Sequence, residues 1–287
     1  MKVIYTAIGL GFLVSTPALS STPVTFGPIK RQPGESLRLV AHSQAKDGTI
    51  VRWINNESST GKIDLSRHRE LHWTFRQPTA DGSQKGLVKI VGLRSSRTVN
   101  FGGEAEKYNE VSPLTGKMFT LTKAPAADWD FDLNDTVTST ATNQDLQELK
   151  TYLKRKWYPD HPVKTGDSWE YDPKWIKMVV QRDLTNALTI GTMTLQEVRK
   201  SATRTTATIG ISIQSSGEQL KSDNTLAEAS VDLKGKMLVN LDTMLDESLE
   251  LEGTVVVGNK EIRDSTKVTL PVRLIVTKTL FTGGGIP

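Results

Sequence analysis

The chain has 287 residues, no cysteine and a formal charge of +4 dispersed along its length. The absence of cysteine excludes disulfides, thiol catalysis, thiolate metal sites and iron–sulfur clusters. So small and scattered a charge argues against a nucleic-acid partner, which needs a concentrated basic face.

The first element is a leader. Met1-Lys2 is a short positive region, Val3–Val14 (VIYTAIGLGFLV) is an apolar run too short for a membrane span, and STPALS follows with small residues at Ala18 and Ser20. This order predicts a secretory signal peptide over 1–20, cleaved near Ser20, and an exported protein that is periplasmic or extracellular. No cysteine follows the cleavage point to take a lipid anchor. No later apolar run approaches the ~20 residues of a transmembrane helix.

From residue 21 the dominant period is two. In SLRLVAHS, Leu37, Leu39 and Ala41 alternate with Arg38, Val40 and His42; in LHWTF, Leu71, Trp73 and Phe75 alternate with His72 and Thr74. GLVKIVGL follows the turn dipeptide Asp81-Gly82. Such alternation, bounded by Gly, Pro, Asn and Asp, predicts half-buried antiparallel strands over a first β-rich half, 21–141.

Residues 142–157 (TNQDLQELKTYLKRKW) break that period. Leu146, Leu149 and Leu153 form one apolar stripe, Thr142 and Asp145 resemble a capping box, and Lys154, Arg155 and Lys156 close the segment. The pattern predicts a helix linking two halves, with its basic end explained by the helix dipole. Pro159 and Pro162 stop it. The second half, 158–287, opens on PVKTGDSWEY and continues through TATIGISIQ and KVTLPVRLIVTKTL, where Pro271 predicts an edge strand or a bulge. Gly34-Glu35-Ser36-Leu37 aligns with Gly166-Asp167-Ser168-Trp169, so each half is entered by the same turn.

Three constellations could carry chemistry. Gly166-Asp167-Ser168 looks like a serine esterase motif, but no histidine follows His161 to serve as base, so no catalytic residue is assigned. His68, Glu70 and His72 fall on one face of a strand and are candidate zinc ligands; the competing reading is a solvated strand face. Asp128, Asp130 and Asp132 alternate with Trp129, Phe131 and Leu133, which fails the EF-hand pattern but could line up carboxylates for calcium. No phosphate loop or dinucleotide fingerprint is present, and no cofactor is expected.

The stretch HPVKTGDSW, with GKMLVNLDTMLDESLELEGTVVV over Gly235–Val257, resembles a signature of secreted bacterial β-rich proteins of unknown function. That resemblance implies no established activity. It implies an architecture similar to the large curved antiparallel sheets of periplasmic lipoprotein carriers, in which a helix crosses the sheet and an apolar ligand is sheltered.

Together these readings predict an α+β, β-dominated protein. Large curved antiparallel sheets, in one piece or as two domains, are built from two related halves, with the linking helix packed across a sheet. The expected function is non-enzymatic binding of an apolar small molecule, a lipid or a protein partner on the curved sheet. Candidate lining residues are Trp73, Phe75, Trp129, Phe131, Trp157, Trp169 and Trp175. The rivals are an assembly protein of the cell envelope and a metal-dependent hydrolase using His68, Glu70 and His72.

Overall fold

In the computed structural model, alternation begins as soon as the first turn is complete. The structure describes residues 22–27, 31–55, 57–124, 130–132, 158–171, 184–220, 226–259 and 265–282. They form twelve strands: β1 (Ser36–Ile54), β2 (Glu57–Phe75), β3 (Gln84–Asn100), β4 (Glu106–Val111), β5 (Met118–Lys123) and β6 (Asp130–Asp132), then β7 (Ser168–Glu170), β8 (Leu184–Lys200), β9 (Thr205–Leu220), β10 (Leu226–Asn240), β11 (Leu245–Asn259) and β12 (Thr266–Phe281). All belong to one antiparallel sheet in the order β6-β5-β3-β2-β1-β12-β11-β10-β9-β8-β7, with β4 beside β5 on β3. The join lies at the centre, where β1 meets β12 from Ser36↔Phe281 to Arg52↔Thr266.

The period-two pattern assigns the faces. Leu39 opposes Leu71, Leu71 opposes Ile90, and Met237 opposes both Leu249 and Ile209. These inward residues belong to one buried cluster with Leu121 and Met193, completed by Phe26, Val163 and Tyr171 from the short segments outside the long strands. A backbone bridge, Val24↔Val163, ties those segments together. A smaller inner-face cluster of Ile50, Ile63 and Val99 fills the other end of β1–β3.

The expected α+β class is corrected. The fold is all-β, with no helix among the described residues. The predicted linking helix at 142–157 lies outside them. One amphipathic segment set the class in the sequence reading, whereas β1 and β2 alone run 19 residues each. Pro271 is not at an edge: β12 lies between β1 and β11. It falls where the β1–β12 register shifts between Ala45 and Thr49, so the bulge absorbs the missing N–H.

Candidate functional site

The two glycine turns are built alike. Gly34 has φ +85° and Gly166 φ +96°, values that favour glycine over any residue with a Cβ. In the first turn the Gln32 N–H donates to Glu35 Oε2 at 2.7 Å and the Glu35 N–H to the Gln32 carbonyl at 3.1 Å. In the second the Lys164 N–H donates to Asp167 Oδ2 at 2.8 Å and the Asp167 N–H to the Lys164 carbonyl at 2.9 Å. Each acid therefore closes its own turn. The Ser168 hydroxyl lies 2.7 Å from the Thr194 hydroxyl across the β7–β8 pair, where neither partner can act as a base. This corner is architecture.

The inner face holds Trp73, Phe75 and Trp169. Trp73 and Phe75 lie two apart on β2 with ring centroids at 4.7 Å, and they pack with Leu37 and Leu245. Trp169 rests 5.9 Å from Phe26, which is stacked on Tyr158 at 4.5 Å. Phe75 is buried; Trp73 and Trp169 are half-buried. Phe131 belongs to β6, where it opposes Leu121. Trp129, Trp157 and Trp175 lie outside the described residues. Between the main cluster and the Ile50–Ile63–Val99 cluster, the inner face carries the rows Leu65–Ala45–Val272–Gly253 and Arg67–Ser43–Leu274–Leu251. Leu65, Val272 and Leu274 in this strip are half-buried.

The outer face gathers His68, Glu70 and His72, because residues two apart on β2 share a face. Strand pairing adds His42 and Arg38 from β1 and Arg94 from β3, through His42↔His68, Arg38↔His72 and His68↔Arg94. Arg38 Nε donates to Glu70 Oε1 at 2.8 Å, and His72 Nε2 lies 3.1 Å from the same oxygen. His68 Nε2 is 4.0 Å from Oε2. Burial alone would raise the Glu70 carboxyl, but the hydrogen bonds from Arg38 and His72 outweigh it and hold the group below its ordinary value. Burial, then the Arg94 charge, push the His68 imidazole down. Glu70 is thus engaged by a guanidinium and an imidazole, and among the described residues no group of three His, Asp or Glu side chains is placed to hold a metal ion. Asp130 and Asp132 lie on β6, and Asp128 falls outside the described residues.

Arg38, His42 and Arg94 were missed as members of this cluster. The alternation of β1 puts Arg38 and His42 on one face, but only the register between strands brings them to Glu70, and no local pattern encodes that register.

No protein-family model and no curated protein matches the sequence. Among solved structures, the chain is similar to one described as lipid–protein interactions in lipovitellin, at 10% identity and TM-score 0.45; the match covers 89% of this chain and 26% of that one. A putative outer membrane lipoprotein-sorting protein domain from Vibrio parahaemolyticus aligns at 8% identity and TM-score 0.13, covering 86% of this chain and 87% of that one. MucB in complex with MucA(peri) aligns at 12% identity and TM-score 0.10, covering 83% and 89%. This chain spans about a quarter of the lipovitellin chain's length. Likenesses this weak leave the functional reading to the chain's own residues.

Proposed function

We propose that this is an exported, non-enzymatic protein that binds an apolar ligand, a small molecule or a lipid, on the inner face of its sheet. The observation that carries the reading is the inner-face strip between the two clusters. There the apolar surface continues through Leu65, Val272 and Leu274, all half-buried. Apolar surface that folding leaves partly exposed on a structured face is the usual material of a ligand site. Trp73 and Trp169, half-buried and packed against the main cluster, are the aromatic residues we assign to the same face; Phe75 belongs to the core. The proposed export rests on the leader at 1–20. No helix among the described residues is long and apolar enough to cross a membrane.

Native mass spectrometry of the protein purified from its own host tests this reading. A co-purifying apolar molecule, released by organic extraction, is the expected result. A ligand-free oligomer would favour an assembly role in the envelope and remove the carrier reading.

A further inference from the structure

The middle of β2 carries a donor-rich patch on the outer face. One row of the sheet runs His42–His68–Arg94 across β1, β2 and β3, each residue directly opposite the next. The row on one side is uncharged and polar: Gln44 opposes Ser66, Ser66 opposes Ser96, and Ser96 opposes Asn109. The row on the other side is Val40, Glu70 and Gly92. Every residue of these rows is described.

A hollow adjoins His68. The register of β2 and β3 shifts between Glu70 and Leu71, and the next residue of β3 across from Glu70 is Gly92. A Cβ on Gly92 would meet only the His68 ring, at 3.7 Å, so the glycine leaves open space beside that imidazole. The His68 side chain keeps 23% of its surface exposed, and Arg94 is exposed. The His42 and His68 rings stand 6.4 Å apart between centroids, too far to bond each other.

The side chains select a chemical class. Each neutral imidazole offers one N–H and the guanidinium offers five, with the serine hydroxyls and side-chain amides beside them. Glu70 is the carboxylate nearest to His68, and it is already engaged by Arg38 and His72. The positive charge of Arg94 is felt at His68. A metal ion would meet that charge, and among the described residues no grouping offers it three ligands. An apolar ligand would desolvate the guanidinium and both imidazoles without return. A tetrahedral oxyanion suits each point. Its charge is opposite to that of Arg94, a guanidinium takes two of its oxygens in parallel, and its other oxygens accept from neighbouring N–H donors.

We propose that the His42–His68–Arg94 row binds a phosphate group, with Arg94 donating to two of its oxygens and the two imidazoles donating to the rest. Free phosphate and a phosphate ester present the same oxygens to this row. The site is on the opposite face from the apolar strip and does not depend on it.

Long-range proton–nitrogen NMR of the histidine rings in the intact protein tests the assignment. The chain has four histidines, and His161, away from the patch, is the internal control. Inorganic phosphate and glycerol 3-phosphate are titrated at pH 7 and constant ionic strength, with zinc chloride as the contrast. At least one of the two anions should shift His42 and His68 saturably and leave His161 in place. Tighter binding of inorganic phosphate would identify the free ion as the ligand, and tighter binding of glycerol 3-phosphate an ester. Arg94→Gln and His42→Asn should each weaken binding about tenfold, whereas Lys234→Gln, an equal loss of charge on the outer face of β10, should leave it unchanged. Arg94 is exposed, so its variant keeps the test open if His42→Asn folds poorly. The proposal is overturned if neither anion shifts the pair by ~10 mM, if His161 moves in parallel, if binding survives Arg94→Gln, or if zinc shifts the pair and no anion does.

Discussion

The carboxylate of Asp81 accepts hydrogen bonds from the Thr79 hydroxyl and from the Ser83 N–H and hydroxyl, the latter two at 3.0 Å. These bonds, led by that from Thr79, pull its pKa from 3.8 to about 2. A depressed carboxyl stabilises the fold fully above its unfolded value and loses that contribution as pH falls through the folded value. Asp81→Asn should therefore lower the melting temperature at pH 7, with the difference from wild type shrinking below about pH 4 and vanishing only as the pH falls below about 2. A pH series of thermal melts measures this. The buried ion pair of Lys278 and Asp246 behaves differently, because both side chains are more than nine-tenths buried. Removing Lys278 takes from the buried Asp246 the closer of its cations and leaves it only the charge of Arg31. Lys278→Met alone should cost roughly 3–5 kcal/mol in urea unfolding, and adding Asp246→Leu should recover most of it.

At the scale of the element, β10 and β11 approach each other too closely for ordinary side chains at two points. A Cβ on Gly253 would lie 1.9 Å from the Asp232 carbonyl oxygen, and one on Gly235 would lie 1.8 Å from that of Glu250. Gly253 also has φ +155°. Gly253→Ala should destabilise by roughly 3 kcal/mol, from clash and backbone strain together, while Gly258→Ala in the same strand should change little. Neither close approach could be read from the sequence, where Gly235 and Gly253 stand in ordinary alternating runs. The strands themselves were legible: Leu37, Leu39, Leu71, Trp73 and Phe75 announce period two, and the Asp81-Gly82 turn stands where expected. Their lengths were not. β2 runs from Glu57 to Phe75, far beyond the alternating LHWTF, because neighbouring strands supply its hydrogen bonds on both sides. The same pairing, invisible to local pattern, assembles the Arg38–Glu70–His72 group.

Across the whole molecule, the pairing of β1 with β12 makes one sheet of strands from both ends of the chain. Each run of strands follows a turn of the same construction, at Gly34 and at Gly166. The likeness of GESL to GDSW was visible beforehand, because a turn needing glycine and an acid at fixed places is a local device. The all-β class was not: the strand signals gave a β-dominated reading, and one segment of helical period, 142–157, added a helix to it. On the inner face of this twelve-stranded sheet, the half-buried strip is the proposed binding surface. Titration of delipidated protein with a fluorescent fatty acid tests that claim most directly, comparing wild type with Leu274→Glu on the strip and Thr277→Glu on the outer face. Saturable binding should be lost in the Leu274 variant and kept in the Thr277 variant, with both still folded by circular dichroism. Absence of binding to the wild type, or binding indifferent to Leu274→Glu, would contradict it.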